Sequence, residues 1–234
     1  MTTTVYTFCW NEIFLLPHFF KNYEWADKII VYDNCSDDGS RDFIESHPKG
    51  ELRSFDSGGA SSEQQRIDIK NDCWKGDTSD WVVVCDIDEF LIDHEKLEDY
   101  VGKDVVFDCK TWQTVSEEIP EDFDTVTLKY HFPPWDNKAI CFSPRIEEIN
   151  FGPGSHKCRP KPKKIVVKDV MEYKHFAALS PDYLINRWKR LSKRRLLAMG
   201  EVEKGWGSYY HAPEDVIRQE FRRRLSWAKA KRGH

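Results

Sequence analysis

Asp86 and Asp88 stand two residues apart behind an apolar run, Trp81-Val82-Val83-Val84-Cys85, and Glu89-Phe90 follow at once. On a strand, residues i and i+2 share a face, so both carboxylates can point at one ligand. Carboxylates emerging from a buried strand call for a counter-charge, because an unpaired buried carboxylate is costly. Hard oxygen donors of this kind suit Mg²⁺ or Mn²⁺, ions that usually arrive with substrate phosphates. Without such a ligand the same residues would be a solvated acidic turn. Two more polar sets have the same placement: Asn11-Glu12 after Val5–Cys9, and Asp33, Ser36 and Asp38 after Lys28–Tyr32.

Local patterns predict the elements that hold these groups. Val5–Cys9 reads as a strand, and Ile13, Leu15, Leu16, Phe19 and Phe20 recur at helical spacing, which predicts a helix over 12–24. Residues 28–32 read as a second strand ending in the turn Asp33-Asn34-Cys35-Ser36-Asp37-Asp38-Gly39, with Ser40 as a cap for a short helix through Ser46. Residues 52–55 form a third short strand, 62–74 a helix carrying Arg66, and 81–85 the fourth strand. Alternation of this kind is the mark of a parallel α/β sheet, whose ligands bind beyond the carboxyl ends of the strands. All three polar sets fall there, which predicts one shared site.

Beyond Asp93 the pattern changes. Stretches 105–107, 125–131, 139–142 and 164–168 predict short, mostly antiparallel strands. Helices return over 181–199, with Leu184, Trp188, Leu191 and Leu196 at core spacing, and over 213–230, with Val216, Phe221, Leu225 and Trp227.

Composition narrows the class. The chain has 234 residues, a net charge of −5, nine Trp, nine Tyr and fourteen Phe, enough for a sizeable core. No apolar run approaches a membrane span and the first residues do not read as a signal peptide, so a cytoplasmic protein is expected. Seven scattered cysteines without a C-x-x-C pair argue for a reducing compartment, with Cys9, Cys85, Cys109 and Cys141 as core thiols. From Arg187 to Arg232 there are 14 Lys and Arg against 5 Asp and Glu. Lacking any recognisable nucleic-acid module, this segment reads as amphipathic helices docked on an acidic body, with no nucleic-acid partner expected.

Taken together, Tyr6–Trp10 with Asn11-Glu12, Ile30–Ser40 and Trp81–Leu91 resemble the GT-A glycosyltransferases of the family-2-like group. The match is strong over 5–93 and fainter over 157–176 and 204–210, and it is similar in size to small single-domain members found in bacteria and large algal viruses. The resemblance implies a Rossmann-like GT-A fold, α/β, with a mostly parallel central sheet flanked by helices, a smaller antiparallel portion and C-terminal helices. It implies one domain over 1–234, with a nucleotide-binding half over 1–93 and an acceptor-side half over 94–234. The implied activity is metal-dependent transfer of a sugar from a nucleotide diphosphate, UDP favoured, to a glycan, lipid-linked or protein acceptor, with inversion; for a viral chain the site of action is the host cytoplasm.

Residue by residue, the resemblance places Asp33 on the nucleotide base, with the main chain near Phe8 and the side chains of Asn11 or Glu12 helping to hold the nucleoside. Arg66 would face the nucleotide. Asp86 would meet the ribose or a metal-bound water, and Asp88 would hold Mn²⁺ or Mg²⁺ bridging the diphosphate. His175, with His156 as second candidate, would complete the metal or diphosphate site. Lys157 begins a basic run suited to the diphosphate, and Trp206 and Tyr209 suit stacking on a sugar acceptor. For the base that deprotonates the acceptor, Asp136, Glu147 and Glu148 stay open, and Glu89 is assigned to orienting its neighbours. A sugar-nucleotide pyrophosphorylase or a Mg²⁺-dependent phosphatase using the same Asp-x-Asp is the alternative. The first lacks a basic Gly-rich loop near the N-terminus here, and the second needs its Asp pair after the first strand.

Overall fold

The computed structural model describes residues 1–131, 136–161, 165–195, 200, 203–205 and 207–230, excluding the side chains of residues 165 and 195. Its centre is one continuous mixed sheet in an α/β fold. β1 (Thr3–Cys9) is flanked by β2 (Lys28–Asp33) and β4 (Trp81–Val84), and β3 (Gly50–Ser54) lies outside β2, all parallel. Tyr6 pairs with Ile30 on one side and Val84 on the other.

The connecting helices cover both faces of this half. α1 (Leu16–Asn22) and α2 (Ser40–Ser46) pack on one face, where Val5, Ile29, Val31 and Val83 meet Leu16, Phe19 and Ile44. Val82, Val84, Tyr6 and Ile30 point the other way, onto Trp74 behind α3 (Glu63–Asp72). A strand buried on both sides has no polar face, which is why β4 reads as an uninterrupted apolar run. Each of its valines is completely buried, worth about 1.5–3 kcal/mol apiece.

Beyond β4 the order continues through β8 (Lys138–Phe142), β6 (Val105–Val115), β9 (Ile165–Ala178) and β5 (Glu89–Ile92), with β7 (Lys129–Tyr130) beside the far end of β6. β4–β8, β8–β6, β6–β7 and β9–β5 are antiparallel, whereas the long strands β6 and β9 run parallel to each other. α4 (Pro181–Arg195) and α5 (Glu214–Ala230) pack on the far ends of β6 and β9 through Leu184, Trp188, Ile217 and Phe221.

Several local expectations shift. The first helix begins at Leu16 rather than at residue 12, because the chain first turns at Glu12, whose carbonyl accepts the Leu15 and Leu16 amides at 2.9 and 3.0 Å. Pro17 then sits in the first helical turn, where a missing N–H costs nothing. Gly39, at φ 92°, is the cap of α2 in place of Ser40, and Ser40 Oγ instead accepts the Glu12 amide at 3.1 Å. Ser62 caps α3, accepting the Gln65 amide at 3.2 Å. Residues 125–131 yield a short turn and only two strand residues. Cys9, Cys85, Cys109 and Cys141 are free and buried.

Candidate active site

The chain leaves β1 toward β2 and β3 on one side and returns to β4 on the other. The carboxyl ends of β1 and β4 thus form a topological switch point, the place where an open α/β sheet offers a crevice. A cavity of about 740 Å³ opens there, large enough for a nucleotide sugar. Phe8 and Trp10 reach it from β1, Asn34 from the turn after β2, Arg66 from α3, and Asp86 and Asp88 from the end of β4. α4 and α5 close the opposite wall with Arg187, Trp188, Arg194 and Arg224.

Asp86 and Asp88 meet different cations. Asp86 Oδ1 lies 2.5 Å from Arg66 Nη2 and 2.9 Å from Lys70 Nζ, and Oδ2 lies 3.7 Å from Lys138 Nζ. Burial opposes ionisation of Asp86, but Lys70, Arg66 and Lys138 outweigh it and hold the carboxyl well below the usual range. Asp88, 3% exposed, places Oδ2 2.5 Å from Arg187 Nη1 and 3.2 Å from His175 Nε2. Burial likewise opposes its charge, and Arg187 and His175 outweigh that.

Glu89, fully buried, accepts the Asp86 amide at 2.9 Å and pairs with Lys138. It braces the loop that presents Asp86, and it holds Lys138, itself 4% exposed, at the floor of the cavity. Burial disfavours the Lys138 charge, but Glu89 raises its proton affinity well beyond an ordinary lysine.

A relay links the second half to this centre. Gln113 Nε2 sits 3.0 Å from His175 Nδ1 and donates to Asp136 Oδ2 at 3.2 Å. Asp136 is 5% exposed and lines the cavity, with His156 Nδ1 3.9 Å from its other oxygen. Glu147 and Glu148 lie elsewhere: the Glu147 and Glu148 amides bond to Lys161 O, and the Glu148 carboxylate meets Lys161 Nζ at 2.9 Å. Neither lines the cavity.

Asn11 is spent on the loops themselves, and so is Oδ2 of Asp33, whereas Asp33 Oδ1 is buried without a hydrogen-bond partner among the described residues. Asn11, at φ 54°, donates its amide to Asp37 Oδ1 at 2.7 Å and accepts the Asp37 N–H at 2.9 Å, tying the β1 exit to the turn after β2. Asp33 is fully buried, and Oδ2 accepts Ser36 N–H at 3.0 Å and Arg41 Nη1 at 2.7 Å. Neither residue lines the cavity; in that turn Asn34 does. Glu12 does line it, with Oε1 2.7 Å from Arg190 Nη2, and burial raises its pKa against the opposing pull of Arg187 and Arg190. Lys157 is exposed outside the cavity, whereas Tyr209, 54% exposed, stands on its rim. Trp206, like Trp135, lies outside the described residues.

Among the described residues, no group of three or more His, Cys, Asp or Glu side chains is placed to hold a metal ion. Asp88 and His175 are the pair nearest to a donor set. One carboxylate and one imidazole suffice for Mn²⁺ or Mg²⁺ when phosphate oxygens and water supply the remaining ligands. Gln113 Nε2 donates to both Asp136 Oδ2 and His175 Nδ1, which leaves the His175 proton on Nε2 toward Asp88, and that proton would have to leave before Nε2 met a metal.

Lys70, Gln113, Lys138 and the arginines of α4 went unnoticed in the sequence. Lys70 had a signal, since it follows Arg66 by four residues and so shares its helical face. Arg187, Arg190 and Arg194 likewise recur at helical spacing, on a helix that reads from sequence as amphipathic and docked on the acidic body.

No protein-family model matches the chain, and no curated protein matches it either. Similar solved structures include a proposed glucose-1-phosphate thymidylyltransferase from Bacillus anthracis in complex with sucrose, at 11% identity and a TM-score of 0.29, covering 61% of this chain and 68% of the other. HddC from Yersinia pseudotuberculosis is similar at 10% identity and a TM-score of 0.30, covering 61% and 74%. Both likenesses are too distant to bear on the reaction.

Proposed function

We propose that the protein is a glycosyltransferase that takes its sugar from a nucleotide diphosphate, a UDP-sugar in the first instance. The observation that carries this reading is the shared cavity at the switch point, where Asn34, Asp86 and Asp88 from separate strand ends meet Arg66, Lys138 and Arg187.

Each part of a nucleotide sugar has a counterpart there. The Phe8 ring, stacked on Tyr32 at 5.7 Å with the Arg66 guanidinium 5.9 Å from its centroid, offers a flat wall to a base. Arg66, Lys138 and Arg187 supply positive charge for the diphosphate as its bond to the sugar breaks. Mn²⁺ or Mg²⁺ held by Asp88 and His175 would neutralise the same leaving group as a Lewis acid. Asp136 takes the proton from the acceptor hydroxyl, while Gln113 fixes its carboxylate and Thr111 Oγ1 bonds to its main-chain oxygen at 2.6 Å. The hydroxyl oxygen forms the new bond to the anomeric carbon, and the old C–O electron pair leaves with the diphosphate. Attack from the face opposite the leaving group gives inversion.

The test is a product assay. UDP-glucose, UDP-galactose, UDP-rhamnose and GDP-sugars are each incubated with the protein and Mn²⁺, with and without added pyrophosphate. A transferase releases the nucleoside diphosphate without pyrophosphate. Release of the nucleoside triphosphate only when pyrophosphate is added would instead assign a pyrophosphorylase.

A further inference from the structure

α4 carries Asn186, Lys189, Arg190, Lys193 and Arg194 at positions i, i+3, i+4, i+7 and i+8, so they share one face. With Trp10 and Gly59 they line a second cleft of about 550 Å³. Trp10 and Arg194 also line the main cavity, so the two spaces adjoin at these side chains.

The charges on this face are not equally answered. Lys189 Nζ meets Glu214 at 2.6 Å and Arg190 meets Glu12 at 2.7 Å. Arg194 is only 7% exposed, and its partners are neutral: Nε donates to Gly59 O at 3.1 Å, Nη2 contacts Ser57 Oγ at 3.2 Å, and the guanidinium stacks 4.0 Å from the Trp10 centroid. No ion pair joins Arg194 or the exposed Lys193 to a carboxylate among the described residues. Burial lowers the proton affinity of Arg194 against the opposing pull of Cys35 and Asp56, and nearby Arg66 lowers it further while Asp33 raises it. A buried guanidinium that touches no carboxylate is costly, and its planar fork matches a phosphate group.

We propose that the cleft binds the phosphate of the acceptor substrate between Arg194 and Lys193, so that the acceptor is a phosphorylated saccharide whose sugar reaches the main cavity past Trp10. This rests on the transferase reading of that cavity. A free sugar phosphate and a lipid-linked one present the same group, and the cleft would recognise either through it.

Calorimetry at saturating UDP tests the inference in two arms, one titrated with glucose 1-phosphate and one with vesicles containing a polyprenyl-phosphate-linked glucose. Saturable binding is expected in at least one arm, weakened at least tenfold by Lys193→Glu, while UDP affinity of that variant stays within twofold of wild type. The arm that saturates at the lower concentration identifies the source of the phosphate. No binding in either arm, competition with UDP, or unchanged binding by Lys193→Glu overturns the inference. Failure of UDP itself to bind, with Lys193-dependent uptake of glucose 1-phosphate retained, overturns the donor reading and keeps the phosphate cleft.

Discussion

Arg187 reaches from α4 to within 2.5 Å of Asp88 Oδ2, a contact between residues 99 positions apart. It joins the end of β4 to the helix that closes the cavity, and both side chains are largely removed from water. Removing one member strands a buried charge. Arg187→Met is therefore expected to lower unfolding stability by roughly 3–5 kcal/mol, measured by urea denaturation. Pairing it with Asp88→Asn should restore part of the loss, whereas strictly additive losses would show that the two charges do not depend on each other.

Asp136 differs from Glu147 and Glu148 by facing the cavity. Asp136→Asn should lower the transfer rate by about 10²–10⁴ while leaving UDP affinity near wild type. Glu147→Gln and Glu148→Gln should stay within about twofold, as expected of surface substitutions away from the chemistry. Steady-state kinetics on the donor identified by product assay checks all three, and a large loss in Glu147→Gln would move the base away from Asp136.

Stability should carry a pH signature from a group far from the cavity. Burial opposes ionisation of Asp77, but hydrogen bonds from Ser79 at 2.5 and 2.7 Å and from Tyr6 at 2.6 Å outweigh it and depress the pKa. A carboxylate with a depressed folded-state pKa stabilises above its unfolded value, about 3.9, and that stabilisation fades as pH falls through the folded value. Asp77→Asn should thus be less stable by about 1 kcal/mol at pH 7, with the gap narrowing below about pH 4. A gap that stays constant down to pH 3 would contradict the assignment.

The N-terminal sheet was legible because each of its strands carries its own local signal. β4 is a run of apolar residues, and the turn after β2 is dense in Asp, Ser and Gly, so neither depends on distant contacts to be recognised. The second half was less so. β9 extends over 14 residues, and its parallel pairing with β6 depends on contacts made after the chain has wandered through several loops. The turn after β2 shows how a motif can be found while the roles of its side chains stay hidden. Asp33 closes the turn through Oδ2 and keeps Oδ1 buried and unpartnered among the described residues, while Asn34 lines the cavity with its amide tied to Ser57, a division that alternation along an irregular turn does not reveal. The cations were hidden for another reason. A lysine or arginine on a helix reads as solvated, and only the packed structure shows Lys70 to be 3% exposed and bonded to Asp86.

The most direct test of the central claim is calorimetric titration of UDP, in the presence of Mn²⁺, into wild type and into Asp88→Asn, both confirmed folded by circular dichroism. The account predicts one site per chain in wild type and at least tenfold weaker uptake in the variant. Wild type that takes up no UDP, or a variant that binds it equally well, would contradict the account.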